Sequence, residues 1–181
     1  MDPRLVTSVS TTTRPKRAYE VEGQHYYFVS DKEFDKLVVN EEFLEYANVY
    51  KHRYGTRREG VNRMLQKGFD VLFDIDWQGA RTIKQQALNV VSFFLIPPSL
   101  EELKRRLSTR GQDSHRSVEY RMSQAIDELS HYGEFDCVFV NDDLGRVCNL
   151  VHTCIERIRR GEQYSAPSFS RTLKDMLKPE S

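Results

Sequence analysis

Asp70-Val71-Leu72-Phe73-Asp74-Ile75-Asp76-Trp77-Gln78-Gly79 reads as an apolar strand that ends in acidic residues, and a helical pattern follows from Ala80 to Gln86. Val90 to Ile96 is a second near-continuous apolar strand, stopped by Pro97-Pro98, and Ser99 can cap the helix behind it. Cys137 to Val140 is a third, ending in Asn141-Asp142-Asp143 before a long helix to about Gly161. Apolar strands that alternate with helices predict an α/β fold whose parallel sheet is covered on both faces. Ligands in such sheets gather at the carboxyl ends of the strands. Asp74, Asp76 and Asn141 stand at those ends.

Upstream, Ser8 to Tyr26 runs S-V-S-T-T-T-R-P-K-R-A-Y-E-V-E-G-Q-H-Y. Leu5 to Ser10 predicts a strand that enters a Pro-broken loop with Arg14, Lys16 and Arg17, and Tyr26 to Val29 a strand after the Gly23 turn. Guanidinium forks pair with phosphate oxygens, and the hydroxyls of Ser10, Thr11, Thr12 and Thr13 can fill remaining lone pairs, so this is an anion site in outline. Asp31 is read as the cap of a helix through Phe34, Leu37 and Val38, and Phe43 to Val49 as a strand with Glu45 in its outward set. A turn at Tyr54-Gly55 leads to a helix over Arg58 to Gln66, closed by Gly68.

The chain has 181 residues, 39% hydrophobic and 30% charged, enough to bury a core as one domain. Its 27 basic and 27 acidic residues cancel, which argues against a general nucleic-acid or membrane-surface binder and leaves anion chemistry to local clusters. One such cluster lies between the last two strands. Lys104 to Arg121 carries six Lys or Arg against Asp113 and Glu119, with Gly111 where two helical patterns meet, as suits a lid closing over polyphosphate. Cys137, Cys148 and Cys154 have no C-x-x-C spacing and read as reduced thiols. With no apolar run near the ~18 residues of a membrane span, the expected location is the cytoplasm.

S-V-S-T-T-T-R-P-K-R, Glu20, Tyr26, F-L-E-Y-A, Y-G-T, D-I-D-W-Q-G, R-R-L-S-T-R-G and V-N-D-D, in that order, closely resemble guanylate kinases, which move the γ-phosphoryl of ATP onto GMP. The resemblance spans Ser8 to about Gly161 and implies a parallel sheet like that of P-loop kinases, with an inserted mixed α/β GMP-binding subdomain and a helical lid. It sets a kinase-like domain over 1–161, with the GMP-binding region at about 11–68, the lid at about 108–120 and a tail over 162–181. It further implies that Arg14, Arg17, Tyr26 and Tyr54 hold the GMP phosphate. Ser10, Glu45, Thr56 and Asp76 match residues that read the guanine edge, and Glu20 buttresses the arginines. Arg106, Arg110 and Arg121 match the catalytic arginines of the lid and its neighbouring helix, Asn141 lies near the adenine of ATP, and Asp74 approaches Mg2+ through water. Guanine offers N1–H and N2–H donors, so paired carboxylates can accept from it, whereas adenine N1 would face them unsatisfied; such a site rejects the wrong base by about 10⁴-fold or more.

The resemblance also implies an upstream strand and a glycine-rich phosphate loop, G-x-x-x-x-G-K-[ST], whose backbone N–H groups cradle ATP. Seven residues precede Ser8, and no such pattern occurs in the chain. The implied missing strand is the central one, between those matching Asp70 to Asp76 and Val90 to Ile96. A truncated or mis-started product is the favoured explanation; a natural variant without the donor site and a partner that supplies the loop are the others. Activity of the chain as it stands is expected to be impaired. The alternative is a guanylate-kinase-like scaffold domain that binds protein ligands without catalysis. Tyr19 stands where the family has glycine, which implies strain of about 1 kcal/mol or more if that backbone is left-handed.

Overall fold

A computed structural model describes residues 2–86, 89–109 and 115–162, and the chain divides into two units, Met1–Val90 and Val91–Ser181. In the first unit the expected strand over Leu5 to Ser10 stops at Thr7. Leu5–Thr7 (β1) pairs in parallel with Asp70–Leu72 (β6), while Thr11–Thr12 (β2) joins a different sheet. That sheet has β2 flanked by Tyr27–Phe28 (β3), in parallel, and by His52–Arg57 (β5), antiparallel; Phe43–Val49 (β4) closes it as the antiparallel partner of β5.

The hairpin between β4 and β5 corrects the expected turn at Tyr54-Gly55. Both residues lie inside β5, and the chain reverses at Tyr50-Lys51, where Tyr50 takes φ 56°. Tyr50-Lys51 carries none of the usual Asn-Gly turn chemistry, so local sequence could not mark it. Gly55 is in the strand because the Phe43 ring lies over it: a Cβ there would meet Phe43 Cδ1 at 2.9 Å. Phe43 in turn packs at 4.6 Å, centroid to centroid, on Phe34, which is fully buried. Phe34 comes from Asp31–Val39 (α1). Here too the start differs by one residue. Ser30, not Asp31, is the cap, and it forms a capping box with Glu33, two orphan donors satisfied reciprocally. Burying a ring of this size contributes on the order of 1.5–3 kcal/mol, and Phe34→Ala would leave a cavity costing about 3–5 kcal/mol.

Arg58–Gln66 (α2) has the expected limits, and Gly68 behind it takes φ 82°. β6 is shorter than the apolar run suggests, because the chain leaves the ladder after Leu72 and Asp76 starts Trp77–Gln86 (α3) three residues before the expected Ala80. Asp74 and Asp76 therefore sit in the crossover between β6 and α3.

The second unit is built on the parallel pair Phe93–Ile96 (β7) and Cys137–Val140 (β8), in register Phe93 with Cys137 through Ile96 with Val140. The alternation of β8 decides its packing. Cys137 and Phe139 face Val147 and Cys154 of Leu144–Arg159 (α6), and Val138 and Val140 pack against the cluster of Ile96 and Leu129 on the other face. Leu129 comes from His115–Ser130 (α5), which follows Leu100–Thr109 (α4). Two covered faces explain why this strand reads C-V-F-V without a polar residue. Ser99 accepts from the Glu102 N–H and Asp143 from the Arg146 N–H, capping α4 and α6. Among the described residues, β6 pairs with β1 alone and β7 with β8 alone. Residues 110–114 of the expected lid over 108–120, and the tail after Glu162, lie outside the described residues.

Candidate functional site

The loop after β2 is folded by its own charges. Arg14 grips Glu20 with both arms of its guanidinium, Nη1 donating to Oε2 at 3.1 Å and Nη2 to Oε1 at 2.5 Å. The Arg17 backbone N–H donates to the same carboxylate at 2.7 Å. Glu20 is 5% exposed, and these donors, Arg14 first, hold its pKa down to about 2. The geometry is that of a buttress. Above it, the Arg14 guanidinium lies 5.3 Å from the Tyr26 ring and 5.7 Å from the Phe28 ring, and Tyr26 meets Tyr54 edge-on at 6.0 Å. Burial, then the charges of Tyr54 and Asp74, raises the Tyr26 phenol, which stays a donor. One cation and two phenols thus converge, a set that suits an anion. The Arg17 side chain is exposed beside them, its Nη1 donating to the Tyr19 hydroxyl at 3.0 Å. Tyr19 is not among the left-handed non-glycine residues, Glu41 and Tyr50, so the strain expected at that position does not arise.

The threonine hydroxyls play a different part from the one their position suggests. Thr11 and Thr12 are fully buried. Thr12 Oγ1 donates to the Arg53 carbonyl at 2.9 Å, Thr13 Oγ1 accepts from the Arg53 N–H at 3.1 Å, and Thr11 Oγ1 accepts from Arg57 Nε at 3.2 Å. They staple the loop to β5. Ser10 is half-buried, and its carbonyl accepts from the Tyr27 N–H at 2.9 Å.

A second group of polar residues lies on β4, β5 and the start of α3. Glu45 and Thr56 are paired across the hairpin, and Thr56 Oγ1 donates to Glu45 Oε1 at 2.6 Å. Glu45 is 4% exposed, on the buried face of β4 with Phe43 and Ala47 and not in the outward set expected for it; burial, with the charge of Asp76 adding to it, raises its pKa despite the Thr56 hydroxyl. Asp76 caps α3, with Oδ1 accepting from the Gly79 N–H at 3.0 Å and Oδ2 from Gln78 Nε2 at 2.9 Å. Two carboxylates in partial burial, one pinned by a hydroxyl and the other by a helix start, can accept adjacent N–H donors from a flat ring. Gly79 is the residue that the sequence reading passed over. Its signal was the D-x-x-G spacing, which puts glycine at the third helical position behind an aspartate cap.

In the second unit Arg106, on α4, donates through Nη2 to the Asn141 carbonyl at 2.9 Å and through Nε to Glu102 at 2.7 Å. Asn141 sits just past the end of β8, its N–H donating to the Ile96 carbonyl at 2.7 Å. Arg121 lies on α5, and Arg110 falls outside the described residues. Asp74 is exposed in the first unit. No helix among the described residues is long and apolar enough to cross a membrane.

Known proteins resemble this chain over most of its length. The family profile described as guanylate kinase matches residues 2–158. The guanylate kinase of Methylococcus capsulatus is 45% identical over 175 residues, covering 97% of this chain and 86% of the relative. That of Rickettsia prowazekii is 47% identical over 155 residues, covering 86% and 79%. Among solved structures, the crystal structure of guanylate kinase from Anaplasma phagocytophilum superposes with a TM-score of 0.75 at 36% identity, over 89% of this chain and 78% of that one. With the profile match covering most of the chain and relatives this similar, the α/β architecture is that of the P-loop kinases and the chain belongs to the guanylate kinase family.

Proposed function

We propose that the first unit binds GMP as phosphoryl acceptor, for transfer of the γ-phosphoryl of ATP to give GDP. Arg14, Arg17, Tyr26 and Tyr54 take the phosphate, Glu20 holds the arginines in place, and Ser10, Glu45, Thr56 and Asp76 read the guanine. The observation that carries this is the Glu45–Asp76 pair. A buried carboxylate with a raised pKa is costly unless a ligand supplies donors, and guanine N1–H and N2–H are donors of that kind. In the second unit Arg106, Arg110 and Arg121 are assigned to the charge that develops on the transferring phosphoryl, and Asn141 to the adenine side. Cations so placed are worth about 10³ to 10⁵ in rate in related phosphoryl transfers.

A divalent metal accompanies ATP in such reactions, and we take it to be Mg2+. Asp74 suits it: an exposed carboxylate, near enough to Tyr26 for its charge to act there, would accept hydrogen bonds from the waters of a largely hydrated Mg2+. When bound it would neutralise charge between the β- and γ-phosphates.

The 181 residues contain no G-x-x-x-x-G-K-[ST] run, so these residues alone are expected to bind GMP well and transfer phosphoryl poorly. Titration calorimetry with GMP and AMP, beside an ADP-release assay, tests both parts. GMP binding with clear preference over AMP supports the acceptor site, and equal affinity for the two overturns it. Robust turnover would overturn the impairment alone.

A further inference from the structure

We propose that Gly79 is a specificity-determining positioning residue, which fixes where the carboxylates of Glu45 and Asp76 stand and so sets the discrimination between guanine and its near analogues. The proposal rests on the GMP reading above. Gly79 is buried in the first turn of α3 and touches both acids by different means. Its N–H donates to Asp76 Oδ1 at 3.0 Å. Its missing side chain makes room for Glu45: a Cβ built on Gly79 would lie 2.7 Å from Glu45 Oε2 and 3.2 Å from Glu45 Cδ, with Ile75 Cβ at 3.3 Å on its flank.

Glu45 has little freedom to give way. Its other oxygen is held by the Thr56 hydroxyl at 2.6 Å, and Thr56 is 1% exposed. The carboxylate is therefore seated in a slot with a hydroxyl on one side and the helix start on the other. Any other residue at 79 would drive the carboxylate out of that seat or push α3, and Asp76 with it, away. Glycine in a helix costs about 1 kcal/mol relative to alanine, so its presence here calls for a local cause. Gly60 in α2 provides the contrast, since a Cβ there would meet nothing within 4 Å.

Guanine presents two donors side by side, N1–H and the 2-amino group, and two acceptors must match their spacing. Inosine monophosphate keeps N1–H and lacks the 2-amino group. Displacing one carboxylate therefore costs GMP more than it costs inosine monophosphate. The relevant quantity is the ratio of the two affinities, which a general loss of stability does not move.

The test is calorimetric titration of the 181-residue chain with GMP and inosine monophosphate, together with thermal melts by circular dichroism. Gly79→Ala is expected to lower the GMP-to-IMP affinity ratio by about tenfold, and Gly60→Ala to leave it unchanged. With Glu45→Asp, whose shorter side chain draws the carboxylate back, the further loss caused by Gly79→Ala is expected to shrink, a coupling seen in the double-mutant cycle. A Gly79→Ala protein that melts lower but keeps the parent ratio overturns the proposal and leaves the GMP reading standing. Absence of GMP binding by the parent chain overturns both. Should Gly79→Ala fail to fold, Gly79→Ala with Glu45→Ala decides: a restored melt identifies Glu45 as the group displaced and supports the proposal, and an unrestored one overturns it.

Discussion

Thr56 and Glu45 face each other across the β4–β5 hairpin, and the Thr56 hydroxyl donates to the Glu45 carboxylate at 2.6 Å in a site closed to solvent. This contact gives a buried acid a hydroxyl partner. Thr56→Val keeps shape and removes the donor, leaving the acid's oxygen unpaired. The expected outcome is a loss of about 1–3 kcal/mol in unfolding free energy and weaker GMP binding in titration calorimetry. Thr56→Ser is expected to stay close to the parent, because the hydroxyl is retained.

The two buried acids of the first unit respond to pH with opposite sign. Glu20 is held down to about 2 from an ordinary 4.5, so the folded state releases its proton more readily than the unfolded one. Its stabilisation is complete above 4.5 and is lost as pH falls from there through about 2. Glu45 is raised above 4.5, so the folded state keeps its proton longer; its contribution is complete below 4.5 and declines as pH rises through the folded value. Thermal melts against pH for the parent, Glu20→Gln and Glu45→Gln check this. The first variant should flatten the acid limb, and the second should flatten the decline above it.

GMP binding should follow Glu45 in the same experiment. The carboxylate, not the acid, accepts from the guanine N1–H and N2–H donors, so affinity is expected to fall on acidification with a midpoint above 4.5. A midpoint at or below that of an ordinary carboxylate would contradict a role for Glu45 in base recognition.

Arg14→Lys keeps a charge but loses the fork that holds Glu20 with both arms. GMP affinity is expected to drop by about tenfold or more, the cost of losing charge-assisted hydrogen bonds. Glu20→Gln should destabilise by about 3 kcal/mol, since it leaves a largely shielded guanidinium without its counter-charge. Calorimetric titration and denaturant unfolding of the two variants separate the effects.

The cysteines report on the second unit. Cys137 and Cys154 are buried with sulfurs 3.7 Å apart, and burial raises both thiols, Cys154 to about 12; Cys148 is exposed on α6. Iodoacetamide at neutral pH is expected to modify Cys148 alone in the native protein and all three after denaturation, as read by mass spectrometry. Rapid native labelling of Cys154 would contradict the packing of α6 on β8.

How much of this was legible in the chain varies with the range of the interaction concerned. α2, β4 and β8 fall at their expected limits, because each is set by a pattern of period 3.6 or 2 within its own residues. The expected strand over Leu5 to Ser10 ends at Thr7, because the chain leaves β6 there and joins a different sheet at Thr11, through partners that lie far along the chain. The Tyr54-Gly55 turn failed for a related reason: Gly55 answers to the ring of Phe43, not to a turn.

The order of residue types along the chain by itself determined the α/β class, the family and the short set of residues from which an acceptor site could be made. These are properties of local pattern and motif order. Only the tertiary structure decided what each of them does. It set Thr11, Thr12 and Thr13 to hold the loop in place, joined Arg14 to Glu20 with two hydrogen bonds, and brought Gly79 against an acid from another strand. Such assignments depend on which donors and acceptors meet after the chain has folded, and that meeting is fixed by sheet register and helix placement, which no local pattern encodes.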